Sequence, residues 1–524
     1  MAYRCCRRWT VFKDVKFKNR YRITGQLTAA SFLHIGSGGT SFLRDRLQAM
    51  RTAERDTRRR DWIDAQLEGE NPEVAEFYGA GDQLRIPGSS LKGVLAGGVS
   101  TSQLFGTVDA AGKAVTGGKV TFFDAVARSR VQVTYTDGYW LANRGTYILP
   151  NVGIDPRLRS AQEHLLYYTE VAPPGTVFEV TLLAENLEPE ELQSLRQRLA
   201  DTFRPGGSPL GAGTANGWGV VTWCESKVEG IAVPALQAWL AGPLTARFDS
   251  LFQTVPLNTV SSQPAGPRET LEIHVTLPFA GRMLVNDPTQ ERAKRQADPD
   301  GRYVVGKTPI RGADGSVYLP ASSIRGALRA QARRIWQTVK WERANLNSVE
   351  RRAINPRSLR EVAHGLPAFH QLFGAGGWQS PITIADFTLA NSEESITQHF
   401  VAIDRFHGGA AANRKFQALA LDRPQFTGRL TLDLAALRRA GAGDWFYLFL
   451  LFLLRDLREG DIFFGAQSAK GYGQVLRPTI RVTGGAQAVL LQGVLDRDPE
   501  SLKNPQLQQW NQAWLQLGQT EKEN

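Results

Sequence analysis

The chain has 524 residues, 42% of them hydrophobic, with 62 Lys plus Arg against 51 Asp plus Glu and a formal net charge of +11. That length supports two or more domains with packed cores, and the positive excess suits a polyanionic partner without demanding one. The three cysteines, Cys5, Cys6 and Cys224, exclude a disulfide framework because adjacent cysteines rarely bridge each other, and no Cys-x-x-Cys or His-x-x-x-His spacing points to zinc.

Residues 1–22 are basic and interrupted, without the continuous apolar core of a secretion signal. Residues 21–28 alternate like a half-buried strand and lead into His34-Ile35-Gly36. A long loop follows, holding a basic insert at residues 44–60 and the segment Glu70-Asn71-Pro72. Ile86-Pro87-Gly88-Ser89-Ser90-Leu91-Lys92-Gly93 then opens a helix. Leu104-Phe105-Gly106 and the strand-like Val120-Thr121-Phe122-Phe123-Asp124 come next, then Val152-Gly153-Ile154-Asp155. A second alternating run at 177–183, a helix over 190–203 and a glycine loop at 211–220 close the series.

The same landmarks then recur in the same order. Residues 271–277 alternate, and Leu319-Pro320-Ala321-Ser322-Ser323-Ile324-Arg325-Gly326 opens a second helix. Leu372-Phe373-Gly374, Ile382-Thr383-Ile384-Ala385-Asp386 and Val401-Ala402-Ile403-Asp404-Arg405 follow. An alternating run at 426–432, a helix near 444–459 and the glycine loop at 465–473 complete the set. Two homologous domains are therefore expected, over residues 1–227 and 270–483, with a linker at 228–269. The tail, residues 484–524, has no counterpart and reads as helical near 505–517. Strand runs mixed with helices predict an α+β fold, two tandem ferredoxin-like, RRM-like units, each an antiparallel sheet covered on one face. The longest apolar run, 445–454, is too short to span a bilayer and reads as a buried helix, so the cytoplasm is the expected location, with no membrane partner.

Several residues are placed to meet phosphate. Ser89, Ser90, Ser322 and Ser323 sit just before helical patterns, where a serine caps the helix start and the free amides favour an anion. Lys92 and Arg325 lie in the first turn, where a cation weakens the helix unless an anion is near. Arg325, Arg329 and Arg333 recur every four residues on one helix face, a like-charged row that costs stability unless solvated or offset by a phosphate backbone. Trp218 and Tyr472, at matching places in the glycine loops, are read as core plugs rather than base-stacking platforms.

At these residues the chain resembles the RAMP superfamily of CRISPR-associated proteins, and more narrowly the fused backbone subunits of type III effectors of the III-D-like kind. The resemblance rests on His34-Ile35-Gly36, the Pro-Gly-Ser-Ser-Leu-Lys-Gly segment, Leu-Phe-Gly, Ile-Asp-Arg and the closing glycine loop, and covers most of residues 20–225 and 270–480. It implies two RAMP domains with thumb hairpins and insertions, and a subunit that lines up along a guide RNA (crRNA) and holds its duplex with a complementary target RNA, among other effector subunits. The segments matching the thumbs, 156–169 and 405–416, carry Arg157, Arg159, Arg405, His407, Arg414 and Lys415.

Family members that cut the target place one Asp between the first strand and the Pro-Gly-Ser-Ser helix, where a carboxylate orients or deprotonates a 2′-hydroxyl. The usual Asp-x-Pro run is replaced here by Glu70-Asn71-Pro72 and Lys307-Thr308-Pro309. Counting from the strand ends selects Asp45 and Asp287 as the catalytic candidates, with Glu70 and Asp298 behind them; each also reads as a solvated loop acid. A divalent metal is neither required nor excluded by that scheme. The alternative is a non-catalytic architectural subunit that holds RNA. A guide-processing nuclease is disfavoured because the seven histidines show no paired pattern, and a small-molecule enzyme because no cofactor loop is present. The basic inserts at 44–60 and 340–365 are expected to meet RNA or neighbouring subunits.

Overall fold

The computed structural model describes residues 17–97, 104–108, 114–128, 131–155, 161–242, 247–256, 260, 269–289, 305–340, 368–375, 378–439 and 442–520. In the first unit, β1 (Asn19–Ala29) leads through an insertion to β2 (Gly36–Phe42), α1 (Leu43–Ala53), α2 (Thr57–Leu67) and β3 (Glu73–Phe77). There follow β4 (Gln83–Ile86), α3 (Gly88–Ala96), β5 (Val120–Phe122), β6 (Ala125–Ala127), β7 (Thr146–Ile154), β8 (Ala161–Val171), β9 (Val177–Glu185), α4 (Pro189–Thr202) and β10 (Val221–Ala232). Strand β1 lies antiparallel between β9 and β10, and β9 pairs in turn with β5 and β6. With α3 after β1 and α4 after β9, this is the ferredoxin-like order, last strand beside first, first beside third, third beside second. Ile23, Leu27 and Ala29 alternate inward on β1 and bury against Leu91 and Leu95 of α3 and Leu192, Leu195 and Leu199 of α4.

The second unit repeats the plan. After α5 (Val233–Ala241) come β11 (Thr270–Pro278), β12 (Val305–Lys307), α6 (Ala321–Lys340), β13 (Ile382–Ile384), β14 (Phe387–Leu389), β15 (Ser395–Ile403), β16 (Ala410–Asp422), β17 (Gln425–Asp433), α7 (Trp445–Arg458) and β18 (Thr479–Thr483). Strand β11 sits between β17 and β18, and β17 pairs with β13 and β14. The α+β, tandem ferredoxin-like reading is thus realised twice in one chain.

Three details differ from the sequence-based expectation. The insert at 44–60 is not a loop: Leu43, Leu47 and Met50 recur at helical spacing on α1 and, with Trp62 and Ile63 of α2, close a small separate core over Val74, Tyr139 and Ile148. The first sheet does not stop at 227, because β10 runs to Ala232 and pairs beyond that point with Gln253–Thr254. Phe248 and Phe252 then lie under the guanidiniums of Arg20 and Arg22, 5.6 and 4.1 Å away, so much of the expected linker is fastened to the first unit. The tail is part of the second core: α8 (Ala486–Leu495) and α9 (Pro505–Thr520) follow β18, and Trp510 stacks on Tyr447 at 4.6 Å while Trp514 meets Trp336 and Phe449. The cause is α7, apolar on nearly every face, which needs cover beyond what its sheet supplies. Among the described residues no helix is long and apolar enough to cross a membrane.

The units lock together. The Ala313 carbonyl accepts the amides of Thr134 and Tyr135, at 2.9 and 3.2 Å, and the Thr289 carbonyl accepts Trp62 Nε1 and Gln66 Nε2, at 3.2 and 3.1 Å. Gly217, at φ +75°, approaches Ile384 so closely that a Cβ would stand 2.5 Å from the Ile384 carbonyl oxygen.

Candidate nucleic-acid interface

Each unit projects a long antiparallel hairpin from a second sheet, β7/β8 in the first and β15/β16 in the second. The resemblance placed the thumb after Ile154-Asp155 and Ile403-Asp404; the hairpins include the strands before those residues, so the landmarks stand at the tips. Strands β2 and β3 join the first hairpin's sheet through β8, and β12 joins the second through β16. In both units the loop region after the first strand is thereby built into the hairpin's own lobe. Val152, Ile154, Leu166 and Tyr167 on the first hairpin, and Val401 and Ile403 on the second, turn apolar side chains to solvent.

The second tip is a compact turn. Asp404 donates its amide to the Gly409 carbonyl at 2.8 Å, and Gly408 donates to the Asp404 carbonyl at 2.9 Å. Gly408 adopts φ +68°, which a side chain would resist. Asp404 Oδ1 accepts the amides of Phe406 and His407 at 2.8 and 3.0 Å, with His407 Nδ1 at 3.2 Å. These hydrogen bonds, led by the His407 amide, hold the Asp404 carboxyl below its usual range. Arg405 and His407 are exposed, and Phe406 is 97% exposed.

Nearer the base of this hairpin, Phe400 and Phe416 stack with centroids 4.8 Å apart. Lys470, from the glycine loop, stands 4.1 and 4.7 Å from the two rings, and Lys307, from β12, stands 5.9 Å from Phe416. Burial, and then the charge of Lys307, lower the Lys470 pKa. Among the described residues neither lysine has a carboxylate partner, so the pair is two uncompensated cations on an aromatic platform. Sequence reasoning did not select these four residues as a site, because they come from three separate stretches, the second hairpin, β12 and the glycine loop.

The residues chosen from sequence fare unevenly. Ser89, Ser90 and Lys92 lie in the first turn of α3, with Ser89 and Lys92 exposed, but the helix start is not serine-capped: Pro87 is the N-cap and the Gly88 amide donates to Asp124 Oδ1 at 3.0 Å. Ser322 and Ser323 repeat this, with the Ala321 amide donating to Asp386 Oδ1 at 2.7 Å. The anion expected at these helix starts is thus partly supplied by the protein. Arg325 donates to the carbonyls of Phe373 and Ile382, at 2.6 and 3.2 Å, and burial followed by the charge of Arg329 lowers its pKa to about 10. Arg329 lies 5.8 Å from the Phe369 ring, and Arg333 is half-buried further along the helix. The arginine row is therefore turned partly into the fold.

Asp45 is exposed in the first turn of α1 and Glu70 is exposed in the loop before β3. Asp287 is not a solvated loop acid: it is 5% exposed, with Oδ1 accepting Thr289 N and Oγ1 at 2.9 and 2.7 Å and Oδ2 accepting Tyr135 Oη at 3.2 Å. Asp298, Arg157 and Arg159, the side chains of Arg414 and Lys415, and most of the 340–365 insert fall outside the described residues. His34 is buried, its Nδ1 2.7 Å from the Glu170 carbonyl, and Tyr472 is buried as a core plug. Among the described residues no group of three or more His, Cys, Asp or Glu is placed to hold a metal ion.

A family model described as the RAMP superfamily matches residues 26–222 and 303–476, more than two thirds of the chain. The two matched stretches contain both hairpins, β9 with β5 and β6 in the first unit, and β17 with β13 and β14 in the second. A search among curated proteins finds no match.

Proposed function

The chain belongs to the RAMP superfamily, with the CRISPR-associated RNA-binding role that membership carries, and from that premise we propose that it is a tandem backbone subunit of a type III effector complex, holding a guide RNA and its duplex with target RNA. The observation that carries this reading is the second hairpin's lobe: exposed Arg405, Phe406 and His407 at the tip, and, at the base, Lys307 and Lys470 without a carboxylate partner among the described residues. Such cations gain most from a phosphate backbone, and exposed aromatics from bases.

A contrast between the units supports stacking along the guide. The first unit's glycine loop is seated on the second unit, with Gly217 against Ile384 and Thr214 Oγ1 accepting Gln379 Nε2 at 2.8 Å. Gly471, the counterpart of Gly217, has nothing among the described residues within 4 Å of where its Cβ would stand. A head-to-tail contact used once inside the chain leaves the same surface open at its end, which is how heterologous assemblies propagate.

For target cutting, Asp45 is the carboxylate of the first unit, with Glu70 behind it, since both are exposed on the hairpin lobe. The buried hydrogen bonds of Asp287 favour the architectural alternative at the second unit's carboxylate. The test is cleavage mapping of a complementary RNA by the guide-loaded complex carrying Asp45→Ala or Asp287→Ala. Loss of one discrete product with Asp45→Ala supports cutting by the first unit; an unchanged product ladder in Asp45→Ala and Glu70→Ala would leave that unit a scaffold.

A further inference from the structure

We propose that the tip of the second hairpin is itself an RNA-cleaving centre, in which His407 is the general base, Asp404 positions its ring, and Arg405 steadies the reacting phosphate. The inference rests on the reading that this hairpin reaches the guide–target duplex.

The turn at the tip needs only part of what is there. Asp404 Oδ1 gathers the amides of Phe406 and His407, which any residue could offer, so the turn does not call for an imidazole. The ring is nonetheless held: Nδ1 stands 3.2 Å from the same carboxylate oxygen, while the side chain is 86% exposed. A carboxylate on Nδ1 selects the tautomer with its proton there, leaving Nε2, across the ring, as a basic atom facing solvent. Three other described histidines lack this arrangement. His34 and His370 are buried, and His274, although 3.3 Å from Glu272, sits mid-strand in β11 between β17 and β18.

The neighbours supply the rest of the chemistry. Phe406, nearly wholly exposed beside the dyad, is a wedge that can unstack a nucleotide, which frees its 2′-hydroxyl to line up with the adjacent phosphate. Arg405 brings a fixed positive charge for the phosphorane that forms. In the step itself, Nε2 takes the 2′-hydroxyl proton, the 2′-oxygen bonds to phosphorus, and the bond from phosphorus to the 5′-oxygen breaks. The departing 5′-oxygen takes a proton from water, and the proton on Nε2 passes to the hydroxide left behind. The products are a 2′,3′-cyclic phosphate and a 5′-hydroxyl. The first unit's tip reads Asp155-Pro156-Arg157-Leu158-Arg159, without a histidine at the place of His407; the histidine of that hairpin, His164, follows on β8.

The experiment uses the assembled, guide-loaded complex with a complementary RNA, in wild-type, His407→Ala and Asp45→Ala forms, and reads cuts, product ends and target affinity. Expected is a loss of about 10²–10⁴-fold in the rate of one cut with His407→Ala, far larger than any accompanying change in target affinity, with partial rescue by added imidazole; a single 2′-deoxynucleotide at that position should abolish the same cut. If His407→Ala cuts as wild type while Asp45→Ala loses a product, cleavage by the chain stands and this inference falls. If the cut is lost together with target affinity and imidazole restores nothing, His407 has a structural role and the inference falls. If the wild-type complex makes no cut that any of these variants removes, the cleavage reading and this inference fall together.

Discussion

The amide of Ala321 donates to Asp386 Oδ1 at 2.7 Å, tying the start of α6 to the end of β13, and Gly88 makes the equivalent bond to Asp124 in the first unit. A half-buried carboxylate at a helix start offsets the orphan amides and the dipole there. It also explains how Ser-Ser segments that look like N-caps come to lie inside the first turn instead.

Burial pushes the Asp386 carboxyl up to about 6, with the Ala321 amide opposing it. A carboxyl raised on folding contributes stability that is complete below its unfolded value near 4 and is lost as pH rises through about 6. Asp386→Asn keeps an oxygen for the Ala321 amide but removes the titration. Denaturant unfolding at several pH values should show the wild type losing roughly 1–3 kcal/mol between pH 4 and 7 relative to the variant; identical pH profiles would refute this assignment.

Tyr135 reaches across the unit boundary to a buried partner. Burial, and next the Asp287 charge, raise its phenol pKa, so it stays a hydrogen-bond donor at neutral pH. Tyr135→Phe leaves Asp287 Oδ2 short of that donor and should cost about 1–3 kcal/mol. Asp287→Ala also releases Thr289, whose carbonyl holds Trp62 and Gln66, and calorimetry should show the two units beginning to unfold separately. A single unshifted transition in both variants would mean that the contact holds nothing.

The lysines and the arginine of the second unit should separate cleanly. Lys307→Ala and Lys470→Ala are each expected to weaken guide-RNA binding and to reduce the slope of log affinity against log salt by about 1. Arg325→Ala removes donors from the Phe373 and Ile382 carbonyls, so it should lower thermal stability while leaving that slope unchanged. The reverse pattern would return phosphate binding to the arginine row.

The sequence by itself determined the repeat, the fold class and the family. Alternation at 21–28 and 271–277, and paired landmarks such as Asp124 and Asp386, are local patterns repeated in order, and local patterns specify local structure. The two hairpins were legible at their tips for the same reason. The tertiary structure decided which side chains are available. Asp287 and Arg325 look alike in sequence to solvated charges, yet each is engaged by groups from remote segments, Tyr135 in one case and Phe373 and Ile382 in the other. Lys307 and Lys470 meet over Phe400 and Phe416 only because the second hairpin, β12 and the glycine loop converge. The tail joined the second core because α7 has apolar surface left over, a balance of area that no single segment displays. Charge and burial are properties of neighbours in space, and the neighbours are set by packing, whereas period and order can be read along the chain.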